Sequence, residues 1–253
     1  MNILKYWTPN EFEISSYKWH LDERKNKTYN TSGSDNTGVC TYTYNELGFR
    51  GDTINKKGFK VMSLGCSLTE GVGVNDNETW PAQFCSHIPN SVNFNFGVGG
   101  RSNDFIVRCL LSYFDLIKPD LVLIMYTYPT RKEYYTKDGG IEPFIPAESW
   151  GYLKETPDGH RVQTLKTLLQ NDNEDFINRY KNHLLIKYFL QNKKIPFVWS
   201  DAILETSYND DNKFYCNYYP YLDSGADGMH PGSKHHKFYA EQLYDYVKQK
   251  KLI

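Results

Sequence analysis

Four short apolar runs, separated by helix-like stretches, constrain the fold of this chain more than any other feature. The runs cover residues 59–64, 91–96, 121–126 and 195–200. Runs of four to eight apolar residues bounded by turn signals are typical of strands that are buried on both faces. Because helical patterns separate the runs, we predict one parallel sheet that helices cover on both sides.

The helix predictions rest on capping signals and periodicity. Thr79 followed by Trp80 and Pro81 is typical of an N-cap with an early helical proline, and it predicts a helix that ends near residue 87. The other predicted helices cover residues 103–117, 174–192 and 233–249.

Two long stretches lack any such period. Residues 129–173 follow the third run and residues 208–227 follow the fourth, so we predict inserts after the third and fourth strands. Stretches of this length are often functional, and the first is predicted to lie on the substrate side. Residues 22–38 are polar and predicted to be exposed. No linker or repeat divides the chain, which indicates one domain with residues 1–44 as an N-terminal extension.

Charge and cysteine content exclude several function classes. The net charge is −1 and no basic stripe is present, so we expect neither nucleic acid nor a membrane as partner. The five cysteines include no C-x-x-C pair, which argues against a zinc ribbon or a disulfide framework and for a reducing compartment. The start of the sequence lacks the apolar segment of a secretory signal, so we expect a cytoplasmic location.

Three segments that carry potentially reactive residues are predicted near the carboxyl ends of the strands, where ligands bind in such sheets. They are G-C-S-L-T-E-G at 65–71, N-F-G-V-G-G at 95–100 and D-G-M-H-P at 227–231. The first offers a serine nucleophile, the second backbone N–H groups, and the third an Asp-His pair. Together they make a complete set for acyl transfer.

Each segment also has a simpler interpretation. Ser67 alone could cap a turn, and the glycines could form a tight strand-to-helix connection. A dinucleotide-binding pattern fails because Ser102 stands where its third glycine is needed. Cys66 is a possible thiol nucleophile, but such a cysteine is more often a small packed side chain. His235 and His236 lie among lysines, which favours a solvated helix face over a metal site.

These segments resemble the conserved blocks of the SGNH (GDSL-like) hydrolases. The resemblance lies in Gly65-Cys66-Ser67-x-Thr69 for block I, Asn95-x-Gly97-x-x-Gly100 for block II, Pro119-Asp120-Leu-Val for the strand before block III and Asp227-x-x-His230-Pro231 for block V. Asn45-x-x-Gly48-Phe49-Arg50 is similar to a lead-in of some bacterial and phage members. The resemblance spans roughly residues 45–249.

The resemblance implies an α/β protein with a three-layer α/β/α flavodoxin-like sandwich and a parallel sheet of order 2-1-3-4-5. It implies an esterase, lipase or carbohydrate deacetylase that needs no metal and no organic cofactor. Ser67 would be the nucleophile, His230 its base and Asp227 the group that orients the imidazole. The N–H groups of Ser67 and Gly100 would form the oxyanion hole.

Block III departs from the family pattern. Pro129 stands where the family has an asparagine side chain, and proline has nothing to donate. Asn103, Thr127 or Arg131 are candidates to replace it; otherwise the oxyanion hole lacks one donor, which typically costs about 10²–10³ in rate. Arg131, Thr127 and Trp150 are also candidates for substrate binding.

The expected substrate is a small-molecule or glycan ester, with an O-acyl or O-acetyl group on a carbohydrate favoured because the first insert is polar and aromatic. Two other functions stay open. One is an acyltransferase on the same fold. The other is a non-catalytic glycan-binding or virion structural protein with a degenerate hydrolase fold, which would be virion-associated. The sequence does not predict an oligomeric state.

Overall fold

The computed structural model describes residues 24–32, 39–135, 141–144, 164, 168, 172–202, 210–216 and 220–253. Its strands are β1 (Thr28–Ser32), β2 (Val39–Thr43), β3 (Arg50–Gly51), β4 (Phe59–Gly65), β5 (Ser91–Gly97), β6 (Leu121–Tyr126), β7 (Lys132–Tyr135), β8 (Ile141–Phe144) and β9 (Phe197–Asp201). Its α-helices are α1 (Ser67–Glu70), α2 (Trp80–Ser86), α3 (Asn103–Ile117), α4 (Asp172–Lys193) and α5 (Ser233–Gln249), with a 3₁₀ turn at Asp76–Glu78.

Four parallel strands form the centre of the main sheet, in the spatial order β5-β4-β6-β9. They are the four predicted apolar runs, so the prediction of a parallel α/β sheet is confirmed. In chain order this arrangement is 2-1-3-4. The short strand β3 pairs antiparallel with β5 at the other edge.

At the fifth position of the expected order 2-1-3-4-5, the described residues form an isolated bridge and not a full strand. Beside β9, Lys213 forms a single parallel bridge with Trp199, in which the Phe214 N–H donates to the Trp199 carbonyl at 2.7 Å. Among the described residues, this bridge is what extends the sheet past β9. Strand β9 begins at Phe197 and not at the predicted residue 195, because Pro196 has no N–H to give to a ladder.

Helices cover both faces of the sheet, as the alternation of strand and helix predicts. One core cluster joins Val122, Ile124 and Tyr126 of β6 to α3 and α4. The other joins Leu121, Leu123 and Met125 of the same strand to α2 and α5. The alternate residues of one strand thus face two separate cores, which makes the three-layer sandwich. Within the described residues, no helix has the length and apolar character needed to cross a bilayer.

One expectation about exposure holds in part and one was wrong. In the polar segment 22–38, Asn26, Lys27, Thr28 and Asn30 are exposed as expected, whereas Arg24 is buried; the segment also includes β1, which pairs antiparallel with β2. His235 and His236 are also buried, at 1% and 0% exposure. Both face the core because α5 buries the side of the helix that carries Tyr239, Ala240 and Leu243.

Candidate active site

Ser67 lies on the nucleophile turn (residues 65–71), where β4 passes directly into the single turn of α1. The turn depends on Gly65, because a Cβ at that position would lie 2.0 Å from Thr69 Oγ1. Ser67 is the first helical residue, so its N–H has no acceptor within the helix. No acceptor for that N–H is found elsewhere in the described part of the chain. An anion can therefore be bound there.

The glycine turn (residues 97–100) packs against the nucleophile turn. A Cβ on Gly97 would lie 2.1 Å from the Glu70 backbone nitrogen, so only glycine allows this approach. Asn95 joins the two turns: its Nδ2 donates to the Thr69 carbonyl at 2.8 Å, and its Oδ1 accepts from the Gly97 N–H at 2.9 Å. Gly100 has a φ of 74°, and its N–H has no acceptor among the described residues.

The Asp-His loop (residues 223–232) precedes α5 and carries the predicted base. Asp227 Oδ2 lies 2.5 Å from His230 Nδ1, and its Oδ1 accepts from the His230 N–H at 3.1 Å. Asp223 fixes the end of the loop by accepting from the Lys234 and His235 N–H groups at the start of α5. The sequence did not predict this contact. No local sequence signal marks this cap, because the acceptor lies far upstream of the helix.

The charge of the Asp227 carboxyl follows from these contacts. Burial raises the pKa of the Asp227 carboxyl, but hydrogen bonds from the His230 ring and backbone, together with the charge of that ring, bring the pKa down to about 2. The carboxylate is therefore ionised at neutral pH and can only accept hydrogen bonds. Next to Nδ1, such an acceptor favours the imidazole tautomer that carries its proton on Nδ1 and its lone pair on Nε2.

Gly73 connects the nucleophile turn to the Asp-His loop. The carbonyl of Ser67 accepts from the Val72 N–H at 3.1 Å, and the carbonyl of Gly73 accepts from the Ala226 N–H at 2.8 Å. A Cβ on Gly73 would lie 2.8 Å from Asp227 Oδ1 and 3.1 Å from the Gly225 Cα. Asp227 thus packs directly on the segment that leaves the helix of Ser67.

Ser67 is largely buried, at 9% exposure, and its hydroxyl contacts Cys66 Sγ at 3.9 Å. Among the described residues, no hydrogen bond joins Ser67 Oγ to His230. That contact stays a prediction, and rotation about the Cα–Cβ bond of Ser67 is the motion that would redirect the hydroxyl. His230 keeps a quarter of its side chain accessible.

The candidates for the missing block III donor lie together at the end of β6. Asn103 Nδ2 donates to the Thr127 carbonyl at 3.2 Å, and Asn103 Oδ1 accepts from the Thr127 N–H at 2.9 Å. Arg131 Nη1 donates to Thr127 Oγ1 at 3.0 Å, and its guanidinium lies over the Tyr128 ring. In this arrangement Asn103 holds the end of the strand. Its role as an oxyanion donor stays a prediction, and Trp150 lies outside the described residues.

The lead-in motif (residues 45–50), whose role the sequence did not reveal, contacts the backbone of the nucleophile turn through Arg50. Arg50 is 1% exposed and donates to the carbonyls of Glu70 at 2.9 Å, Gly71 at 2.7 Å and Val74 at 3.0 Å. Tyr42 adds a further contact, because its hydroxyl accepts from the Gly73 N–H at 2.7 Å. These residues hold the turn through its backbone. Within the described residues, no group of three or more His, Cys, Asp or Glu side chains is placed to hold a metal ion.

Comparison with known proteins gives structural matches alone. No family model matches the chain, and no curated protein does. Solved esterases and lipases match it. The psychrotrophic esterase EstA from Pseudoalteromonas sp., in a structure inhibited by monoethylphosphonate, is 15% identical with a TM-score of 0.44 over 76% of this chain and 98% of that one.

Two further matches carry related names. A structure described as a lipolytic protein of the G-D-S-L family from Desulfitobacterium hafniense is 17% identical, with a TM-score of 0.35 over 74% of this chain and 99% of that one. A GDSL-like lipase from Bacteroides thetaiotaomicron is 15% identical, with a TM-score of 0.32 over 76% and 89%. At these values the names describe those proteins and not this chain.

Proposed function

We propose that the chain is a serine ester hydrolase of the SGNH type, with Ser67, His230 and Asp227 as its catalytic triad. The observation that carries the proposal is the 2.5 Å contact between Asp227 Oδ2 and His230 Nδ1, in a loop that packs on the segment following Ser67. An ionised carboxylate on Nδ1 leaves Nε2 as the base, which is the arrangement that a serine nucleophile requires.

In the proposed reaction, Ser67 Oγ attacks the ester carbonyl carbon while its proton moves to His230 Nε2. The carbonyl oxygen becomes an oxyanion, which the N–H groups of Ser67 and Gly100 stabilise. The C–O bond to the alcohol then breaks, and the alcohol leaves with the proton from Nε2. A water molecule repeats the sequence on the acyl-enzyme: its proton moves to Nε2, the acid is released, and Ser67 regains its hydrogen.

The proposed substrate is an O-acetyl or other short O-acyl ester on a carbohydrate. Support comes from composition, because the segment after β6 is rich in polar and aromatic residues, which suit sugar rings better than long acyl chains. We expect kcat/KM for acetyl esters to exceed that for octanoyl esters of the same alcohol by about tenfold or more. A preference for octanoyl esters would contradict this substrate class.

The proposed nucleophile is tested by labelling and by hydrolysis. Wild type should hydrolyse p-nitrophenyl acetate and take up a fluorophosphonate on Ser67, located by peptide mass spectrometry. Ser67→Ala should lose the label and about 10³-fold or more of the activity. Cys66→Ala is the matched control, because Cys66 is buried next to Ser67 and is the alternative nucleophile; it should stay within about fivefold of wild type. A label on Cys66, or an active Ser67→Ala variant, would contradict the triad.

Hydrolysis and transfer are separated by the product. With a sugar acceptor present, a hydrolase releases the free acid, whereas an acyltransferase forms the acylated sugar in proportion to the acceptor. Release of acid that the acceptor does not reduce supports the hydrolase. A chain that binds glycans but neither hydrolyses esters nor takes up the phosphonate would fit the non-catalytic alternative.

A further inference from the structure

We propose that the buried ion pair of Arg24 and Glu70 positions the glycine turn and neutralises the charge beside the oxyanion hole. The inference rests on the proposed function and adds two positioning residues that lie outside the triad. Neither residue belongs to the Asp-His loop, and Arg24 comes from the segment that precedes β1.

Glu70 ends the helix of Ser67, and its side chain is almost fully buried, at 4% exposure. Its Oε2 accepts from the Gly99 N–H at 2.6 Å. Its Oε1 accepts from the Tyr44 hydroxyl at 3.0 Å and from Arg24 Nη1 at 2.9 Å. Hydrogen bonds to an ionised acceptor are stronger than neutral ones, so the carboxylate fixes the position of Gly99.

Gly99 directly precedes Gly100, whose N–H is the proposed oxyanion donor. A Cβ placed on Gly99 would lie 3.1 Å from Glu70 Oε2 and 3.7 Å from Ser67 Cβ. The carboxylate and the nucleophile therefore flank the same residue. Holding the Gly99 N–H in place sets the direction of the next peptide group, which preorganises the Gly100 donor for the developing charge.

A carboxylate in this position would also repel the oxyanion. Both partners of the Arg24–Glu70 pair are buried, with side-chain exposures of 8% and 4%, so solvent screens their charges weakly. Arg24 supplies the compensating positive charge, and its guanidinium also lies 5.0 Å from the centre of the Tyr44 ring. Burial and the Glu70 charge raise the pKa of the Tyr44 hydroxyl, which keeps it protonated and donating.

Backbone hydrogen bonds hold the segment of Arg24 against Tyr44 and Asn45, which follow β2. The Asn26 N–H donates to the Asn45 carbonyl at 3.1 Å, and the Tyr44 N–H donates to the Lys27 carbonyl at 2.9 Å. The segment before β1 thereby reaches the site through Glu70.

The test separates the charge of residue 70 from its hydrogen bond. Arg24→Met leaves the Glu70 carboxylate without its cation, and kcat for p-nitrophenyl acetate should fall about 10–100-fold with KM within about threefold. Adding Glu70→Gln removes the charge and keeps an acceptor for the Gly99 N–H, so this double variant should recover to within about fivefold of wild type. Arg24→Met with Glu70→Leu lacks the acceptor and should stay about tenfold or more below the Gln variant.

Arg179→Met is the matched control, because it breaks a buried ion pair of 2.8 Å with Asp201 at the end of β9. It should lower the melting temperature while kcat stays within about threefold of wild type. A purely structural role for Arg24 would make its variant behave like this control. An Arg24→Met protein that folds and keeps kcat within twofold of wild type would overturn the proposal.

If Arg24→Met alone does not fold, the two double variants still decide, because they differ only at residue 70. Equal kcat values for the Gln and Leu forms would overturn the positioning role. The two proposals fail separately. Wild type that neither hydrolyses the ester nor takes up the phosphonate defeats the proposed function, whereas an active wild type with unaffected variants defeats the ion-pair inference alone.

Discussion

At the scale of single residues, the Asp227 carboxylate would determine, under the proposed function, which nitrogen of His230 acts as the base. Its pKa of about 2 keeps it ionised, so at neutral pH it accepts a hydrogen bond from the Nδ1–H group. Asp227→Asn keeps the shape but can donate to Nδ1, which favours the wrong tautomer. We expect kcat to fall about 10³–10⁴-fold with KM little changed, measured with p-nitrophenyl acetate. Activity within tenfold of wild type would show that Asp227 does not orient the base.

Asn103 and Ser102 provide a second comparison between neighbouring residues. Ser102 Oγ caps α3 by accepting from the Phe105 N–H at 3.3 Å, so the cap belongs to Ser102 and not to Asn103. We expect Asn103→Ala to lower kcat about 10–10³-fold with little change in KM, because its amide either donates to the oxyanion or holds the Thr127 backbone. Ser102→Ala is the control, which should cost about 1 kcal/mol of unfolding free energy and leave kcat alone. An Asn103→Ala variant with unchanged kcat contradicts the prediction.

Arg131 differs from Asn103 in the kinetic constant that it should affect. Its guanidinium is partly exposed and extends from Thr127 Oγ1 over the Tyr128 ring. A substrate contact of this kind would act in the ground state and the transition state alike. Arg131→Ala should therefore raise KM with kcat nearly constant. A fall in kcat at constant KM would instead assign Arg131 to the oxyanion hole.

At the scale of elements, Arg50 of β3 stabilises the backbone of the nucleophile turn and the residues after it, because its guanidinium donates hydrogen bonds to three carbonyls. Arg50→Met leaves the Glu70 and Val74 carbonyls without this donor, and the Gly71 carbonyl keeps only the Val74 N–H at 3.3 Å; each buried acceptor left without a donor costs about 1–3 kcal/mol. We expect the free energy of unfolding in urea to drop by about 3 kcal/mol or more. Lys56→Met is the control, since the Lys56–Asp52 pair is half exposed and should contribute less than about 0.5 kcal/mol. Equal losses in the two variants would contradict this role of Arg50.

The elements themselves were predictable where one local signal governs them. Strand β6 and helices α3 and α5 have the predicted bounds, because an apolar run, a turn and a helical period act over neighbouring residues. The burial of His236 also had a signal that the lysines obscured. His236, Ala240, Leu243 and Val247 follow a helical period, and all four are buried.

The supports of the site were less predictable than its motifs. The glycines of the two turns and the Asp-His spacing are local patterns, and the structure brings those segments together. The Arg24–Glu70 pair, by contrast, joins residues on different elements, and nothing in a single sequence marks which arginine meets which carboxylate. The same holds for Asp223 and α5, whose contact depends on how the loop returns to the helix.

At the scale of the whole molecule, two buried histidines should make the fold sensitive to acid. Burial lowers the pKa of His183 to about 4 and of His236 to about 3. His236 Nδ1 accepts from the Trp80 N–H at 3.1 Å, which a proton on that nitrogen would prevent. Unfolded histidine titrates near pH 6.5, so below that pH the unfolded chain binds protons that the folded chain excludes.

Stability should therefore be highest above about pH 6.5 and fall as the pH drops from there toward about 4. Urea unfolding at pH 5, 6, 7 and 8 measures this. The variant His236→Asn keeps an acceptor for the Trp80 N–H and removes one of the titrating groups, so its unfolding free energy should change less between pH 7 and 5. A wild-type free energy that is constant over this range would contradict the prediction.

The contact between Gly73 and the Asp-His loop joins an early part of the chain to a late one, so under the proposed function the site is complete only after both have been synthesised. The proposed nucleophile directly follows the first parallel strand, whereas its base lies on the loop just before the last helix. A growing chain would carry Ser67 long before any residue could take its proton. Under the proposed function, the rate at which ester hydrolysis returns during refolding would report the rate at which α5 docks onto a preformed sheet. A chain truncated before residue 223 would not hydrolyse esters, even if its sheet had formed.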